Sequence, residues 1–586
     1  MVRRSAPVVL VALLAAVSIG AAAARPPGAA RPIAATGLAT AAAMKDPRCN
    51  TGPGFNVYGN WNTTTVGGNG QGPICVKPWS DGADNGGATS PGVTRDKIVV
   101  VAIIPSDDQT QALLKDPTQA PGVPVDRATG TTGTWEDAVH DHLLPLLEFY
   151  ETWGRAIEVR FVRSSGTDET AQRADAVAVK ALKPFAAVDL LSQGLLTLDG
   201  ELAKAKIVTF GTVTTATQAL AQQPYRWGAT DGQATAVNAA AVVGRQLAGK
   251  KAAFAGDALM RHERVFGAVA ADTVDLTRFT SDLKKQGATL KVAQAYNDPG
   301  GIVGDPVMSQ EAAPTIVSKM KAAGVTTILL FADSSMVRSM MEAATKLDYF
   351  PEWFNSGVLY SELTLWARTY PVEQSKHMFG MSWLTPWLAP DSEQERLADP
   401  ENWYWGANQG TAAAVSVAPL LNWLVAGIHL AGPHLTPKTF QQGYFSAPAA
   451  GGAASGNPLT PLIAYGRQTG LPYPSYMYGG TDFVPFWYDP DTTGIASVTG
   501  VSAKGVAWYP NQGMRYKADT VTEKSLGYFE KSNSIVSFET RPTAAPTPVY
   551  AGDCTTCPAA TGATKPGSPT DDGFVAKAHG AGSTGI

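Results

Sequence analysis

The sequence predicts an α/β fold of two doubly wound, Rossmann-like lobes behind an N-terminal extension. Three observations carry that expectation. Apolar runs of strand length alternate with helix-period segments from residue 98 to residue 354, and such alternation means a parallel sheet covered by helices on both faces. The units are too many for one small sheet and lack the closure signature of a barrel. At 586 residues the chain also exceeds what one ordinary core organises.

The elements follow in order. Arg3 and Arg4 precede an apolar run from Val8 to Ala24 that ends in alanines, the pattern of a secretory signal peptide over 1–24. The twin arginine is followed by residues that fit Tat export poorly, and no cysteine follows the cleavage zone to take a lipid. No later stretch is long and apolar enough to span a bilayer, so the expectation is an exported, cell-envelope or secreted protein. Residues 25–95, rich in Gly, Pro, Ala, Asn and Thr, form an extension.

Strands are expected at Ile98–Ile104, Ile157–Val162, Ala186–Leu191, Ile207–Phe210, Lys251–Ala255, Leu290–Tyr296, Thr326–Phe331 and from Trp353, with a further one at Phe483–Tyr488. Helical patterns fall at Trp135–Trp153, Asp168–Leu182, Leu198–Lys204, Asp231–Leu247, Phe266–Gln286, Ala312–Ala323, Ser335–Leu347 and roughly 410–430. The alternation divides the chain into segments 96–228, 229–365, 366–480 and 481–540. The stretch 541–586, rich in Pro, Thr, Gly and Ala, reads as a flexible tail.

The four cysteines, Cys49, Cys75, Cys554 and Cys557, favour disulfides in an exported chain. Three pairings are open, and proximity favours Cys49 with Cys75 and Cys554 with Cys557. Lys plus Arg number 46 against 50 for Asp plus Glu, a net charge of -4. That balance argues against nucleic acid and against an anionic membrane surface, and leaves a small molecule or a protein as partner.

Catalytic signatures are missing: no nucleophile elbow, no metalloprotease helix, and no glycine loop between a strand and a helix. No cofactor is implied. His140-Asp141-His142 has a metal-like composition, but positions i and i+2 lie on different sides of a helix, which reads as a solvated first turn. The tryptophans from Trp353 to Trp423 read as core and hinge packing. In a doubly wound sheet, ligands sit outside the carboxyl ends of strands. Those ends carry Pro105-Ser106-Asp107-Asp108, Ser192-Gln193-Gly194 and Gly211 to Thr215. Each is equally the composition of an ordinary helix cap, and their convergence on one edge is what suggests a binding site.

GVTRDKIVVVAII, ETWGRAIEVRFV and the helix opened by Asp168-Glu169-Thr170 resemble the first lobe of type I periplasmic binding proteins. The branch they resemble is the leucine/isoleucine/valine-binding family of branched-chain amino acid ABC transporter receptors. KIVTFGTVTTATQAL and PYRWGATDGQATAVNAAAVV continue the likeness, KKAAFAGD resembles the start of the second lobe, and DNGGATSPGVT is similar to actinobacterial members. The resemblance implies two lobes joined by hinge crossings, the first at 96–228 with a return at 366–480, the second at 229–365 with a C-terminal hinge and completion at 481–540. It implies that they close on a small polar ligand, an amino acid or a related carboxylate or amide, with an ABC permease as partner and no catalysis. It implies ligand contacts at Ser192 and Gln193, at Gly211, Thr212 and Thr214, at Arg261 or His262 after the first strand of the second lobe, and at Asp333 and Ser334. The acidic partner for a ligand ammonium falls near Ser356-Gly357, where the sequence has no acid, leaving Asp333 or Asp257 as substitutes. A secreted α/β hydrolase-like enzyme and an interaction protein that retains the fold are the alternative classes.

Overall fold

In the computed structural model, the described residues are Val76, Trp79, 82–115, 123–147, 150–191, 196–211, 214–228, 232–271, 274–297, 304–384, 386–388, 400–405, 410–412, 417–447, 449, 451–469, 471, 473–477, 481–495, 502–540, 542–543 and 572–577. All four cysteines, the expected signal peptide and most of the expected extension lie outside them.

Five strands, β1 (Lys97–Ile104), β2 (Ala156–Arg163), β3 (Ala186–Asp189), β4 (Val208–Gly211) and β5 (Arg226–Gly228), run parallel in the order β2-β1-β3-β4-β5. A second sheet repeats the order with β6 (Phe266–Ala271), β7 (Leu290–Tyr296), β8 (Thr327–Phe331), β9 (Glu352–Asn355) and β10 (Met378–Ser382), aligned β7-β6-β8-β9-β10. Antiparallel β11 (Asp482–Ile495) and β12 (Ser502–Trp508) extend it beyond β10, with Tyr516–Lys517 pairing on β11. The doubly wound α/β expectation therefore holds in both sheets.

The central strands of each sheet are buried on both faces, which is why β1, β6 and β8 are almost continuously apolar, whereas the edge strand β7 alternates exposed and half-buried residues. Along β1, Ile98, Val100, Ala102 and Ile104 pack with α2 (Trp135–Leu147), α10 (Val417–Ala431) and α11 (Pro437–Ser446). Val101 and Ile103 point the other way, onto α3 (Glu169–Ala181) and α4 (Leu196–Lys204). In the second sheet Ala268, Ala270, Leu329 and Phe331 face α6 (Gly232–Val242) and α7 (Leu276–Lys285). Val269, Ile328 and Leu330 face α8 (Pro306–Ala322) and α9 (Ser334–Lys346). The remaining labelled helices, α1 (Asp107–Lys115) and α5 (Ala216–Ala221), follow β1 and β4.

Two sequence expectations are overturned. Lys251–Ala255 is not a strand: it makes one bridge, Lys251 to Glu263, and then turns. The strand is Phe266–Ala271, which was expected to open a helix. Its alanines favour a helix locally, but it lies between β7 and β8 with every residue buried. There small side chains are needed, since a Cβ on Gly267 would sit 2.4 Å from the Met320 sulfur, and tertiary packing overrides propensity. The second correction concerns 541–586, expected to be a flexible tail. Within it β13 (Gly573–Lys577) pairs antiparallel with β2 and extends the first sheet.

The passages between lobes are tied together at one buried ion pair. Arg515 and Asp482 are 3% and 1% exposed. Nε and Nη2 of Arg515 donate to the Asp482 carboxylate at 2.7 and 3.2 Å, while Nη1 and Nη2 donate to the carbonyls of Leu384 and Trp383 at 2.7 and 2.8 Å. Asp482 also accepts from the backbone N–H of Ala453 and Leu462, at 3.0 and 2.9 Å. One pair thus fixes the chain leaving the second sheet after β10, the 453–462 loop and the strand that re-enters at β11. A further passage is held by a bridge between Gly228 and Met477.

Removing one partner of such a pair leaves a buried, uncompensated charge, typically about 3–5 kcal/mol. Asp482→Ala is expected to lower unfolding free energy by that order in urea titrations. A loss under about 1 kcal/mol would show that the pair does not hold the crossings.

Candidate functional site

The repeated strand order puts a topological switch point in each sheet, between β1 and β3 and between β6 and β8, and ligands of doubly wound sheets lie at such carboxyl edges. The two edges face each other. Leu196, at the start of α4, packs against the second-lobe core, and Tyr360, in the loop after β9, packs against the first-lobe core with its ring 5.5 Å from that of Trp383. The Arg278 guanidinium of α7 lies 5.1 Å from the Tyr473 ring centroid, and Tyr473 packs with Ala234 and Leu471.

On the first-lobe edge, Ser106 and Gln109 cap α1 reciprocally, with hydrogen bonds of 3.2 and 2.7 Å. Thr215 does the same for α5 with Gln218. These hydroxyls serve helix ends. Thr214, 3% exposed, differs: its Oγ1 accepts from Nε of the buried Arg226 at 3.1 Å. Gly211 closes β4 against Asp199 so tightly that a Cβ there would lie 2.0 Å from Oδ2. Ser192, Gln193 and Thr212 lie outside the described residues.

On the second-lobe edge, Asp333 and Ser334 follow β8 and Gly357 follows β9, on adjacent strands. Asp333 caps α9 through Met336 N at 2.9 Å and accepts the Tyr296 hydroxyl at 2.6 Å. Burial pushes its carboxyl up to about 6, against the downward pull of that hydroxyl. A pocket of ≈440 Å³ opens beside it, walled by Met308, Ala312, Ile316 and Met336 with Asp305 and Lys319. After β6, the side-chain oxygen of Gln233 accepts from Asp275 N at 3.0 Å, and its buried Nε2 has no partner among the described residues.

Arg261 is not at this edge. The first strand of the lobe is β6, so Arg261 precedes it, in the 252–263 turns that pack on Phe350 and Glu352 at the amino edge. His262 goes with it.

The expectation that no acid stands near Gly357 is also corrected. Glu362, 4% exposed, places Oε1 3.1 Å from where a Cβ on Gly357 would be and accepts the Ser382 hydroxyl at 2.6 Å. Its Oε2 is buried without a partner among the described residues. Burial pushes this carboxyl up to about 8, with the Ser382 hydrogen bond opposing. The connecting loop is strained, since Leu359 and Tyr360 hold φ of 56° and 59° in a region costing non-glycine residues roughly 1–3 kcal/mol each. The only signal in the sequence was an acid five residues past the expected position, brought back by those left-handed residues.

His140, Asp141 and His142 are buried at 8%, 0% and 3% exposure, so the reading of a solvated turn is corrected. His142 Nδ1 lies 2.5 Å from Glu401 Oε1, and Arg127 pairs with Glu401 Oε2 at 2.6 Å, fixing the short helix Pro400–Trp405 to α2. No group of three metal-ligating side chains occurs among the described residues. Trp353, Trp366, Trp383, Trp405 and Trp423 are all buried, as core packing requires.

The chain matches no protein-family model and no curated protein. Among solved structures it is similar to an ABC transporter solute-binding protein from R. palustris in complex with 4-hydroxybenzoate, at 12% identity and TM-score 0.45, covering 72% of this chain and 97% of that one. It is also similar to a fatty acid ABC transporter substrate-binding protein from Thermomonospora curvata, at 14% identity and TM-score 0.44, with 74% and 96% covered. A leucine-, isoleucine-, valine-, threonine- and alanine-binding protein from Brucella ovis gives 10% identity and TM-score 0.43, with 76% and 100% covered.

Glu362 gives a pH prediction. The folded protein keeps a proton that the unfolded chain releases near 4.5. The resulting stabilisation is complete below about 4.5 and is lost as pH rises through about 8. Thermal stability of the wild type should therefore fall relative to Glu362→Gln as pH rises across that window, by on the order of a few kcal/mol. Parallel pH profiles for the two proteins would refute the assignment.

Proposed function

We propose that this protein is an exported solute-binding protein that traps a small polar molecule, an amino acid or a related carboxylate or amide, between its two lobes and delivers it to an ABC permease. The observation that carries the reading is the pair of facing carboxyl edges, both at switch points and both furnished with buried polar groups that helix capping does not use up. Thr214 and Gly211 stand on one edge, Gln233, Gly357 and Glu362 on the other, with Ser334 beside Asp333, which lines the ≈440 Å³ pocket.

A ligand that touches both edges favours the closed state by the difference in its contacts with the open and closed forms. Three or four polar contacts with apolar burial suffice for micromolar affinity, about -8 kcal/mol. No bond need be made or broken. Glu362 serves the amino group of an amino acid by releasing its proton, or a carbonyl by keeping it.

The test is a thermal-shift screen of amino acids, amides, short-chain acids and aromatic acids, with sugars as the contrast class, followed by calorimetry on the hits. Micromolar binding within the first four groups is expected, weakened about tenfold or more by Glu362→Ala. Absence of any shift would remove the binding reading, and hydrolytic turnover of a screened compound would replace it with an enzymatic one.

A further inference from the structure

The buried charges of the first-lobe edge are more than a structural pair. Arg226, 2% exposed, enters from β5 and spends Nε on Thr214 and Nη1 on Gln222, both at 3.1 Å. Its Nη2 is buried with no hydrogen-bond partner among the described residues. Asp199, 1% exposed on α4, likewise finds no hydrogen bond for either carboxylate oxygen among the described residues. The two groups stop 3.9 Å apart, close enough for charge to act and too far for a hydrogen bond. Gly211 rests directly on that carboxylate.

This arrangement has a consequence for what the edge attracts. Thr214 accepts from a guanidinium, and among the described residues its own hydrogen has no acceptor, so it is left to donate to an incoming group. The charge behind it is the sum of Arg226 and Asp199, with Asp189 at the end of β3 as the other buried charge acting on Arg226. Arg173 on α3 and Glu201 and Lys204 on α4, which line the same hollow as Arg226, are paired with one another. Ionised, Asp199 joins Asp189 in offsetting Arg226 and the edge disfavours anions. Neutralised, it leaves the desolvated guanidinium opposed by Asp189 alone, one unit of charge more favourable to an anion at Thr214.

We propose that Asp199 is the charge selector of the ligand edge: by neutralising Arg226 it sets whether Thr214 presents its hydroxyl to a carboxylate or to an uncharged carbonyl. The inference rests on the solute-binding reading above. Burial supports it by pushing the Asp199 carboxyl up to about 6 against the pull of Arg226, which places the selection within mildly acidic conditions.

The experiment measures binding of benzoate and octanoate, each beside its neutral amide, at pH 5 and pH 7.5. Wild type should gain affinity for the carboxylates on acidification by on the order of tenfold, with the amides nearly unchanged. Asp199→Asn should bind the carboxylates at pH 7.5 as wild type does at pH 5 and lose the pH dependence. The double variant Asp199→Asn/Arg226→Gln, which carries neither charge, should be pH-independent and weak, and it guards against misfolding of the single variant. Carboxylate binding that ignores both pH and Asp199→Asn overturns the selector while leaving the solute-binding reading intact. If no probe binds at any pH, the selector role falls with that reading. The difference in thermal stability between wild type and Asp199→Asn, falling through pH 6, would then show that the charge coupling exists without a ligand function.

Discussion

The Arg515–Asp482 pair is the constraint on which the rest of the structure depends. Two lobes that share a chain must be crossed by it repeatedly, and each crossing exposes backbone groups that belong to neither sheet. Here one guanidinium takes the carbonyls of Trp383 and Leu384, and one carboxylate takes the N–H groups of Ala453 and Leu462. Burying both ions carries a desolvation cost of several kcal/mol each, offset because four of the five guanidinium N–H groups donate and both carboxylate oxygens accept twice. Apolar side chains could fill the same space, but could not satisfy four backbone groups from three segments. The position of one edge relative to the other follows from this junction.

With the junction set, the candidate site gathers buried groups whose hydrogen bonds are incomplete. Most polar residues at the strand ends are spent locally: Ser106 and Thr215 on helix caps, Asp333 on α9 and Tyr296. Glu362 Oε2, Gln233 Nε2 and the Asp199–Arg226 pair are left incomplete among the described residues. An unsatisfied buried polar atom costs about 1–3 kcal/mol, and that cost is what the proposed ligand would relieve. The strain at Leu359 and Tyr360 belongs to the same pattern, since it is what carries Glu362 back beneath Gly357.

Much of the fold was legible where local and global signals agree. Asp168 is an N-cap by sequence and by structure, accepting from Thr170 N and Ala171 N, and Leu290–Tyr296 has the same limits in both. Where they conflict, reading fails. Phe266–Ala271 has the composition of a helix and the environment of a central strand, and mistaking it moved the expected ligand contact to Arg261, at the wrong edge. The site itself was half legible: the strand ends were found from alternation, whereas Glu362, Asp199 and Arg226 were not. Nothing in a string of residues tells a buried charge from a solvated one.

By itself the sequence determined the doubly wound α/β class and which loops end strands, because period and capping are properties of neighbours along the chain. Only the tertiary structure decided which of those loops meet, which hydroxyls are already used, and which carboxyls are held out of water. Those depend on the pairing of segments as distant as Trp383 and Arg515, and on burial, which no local pattern encodes.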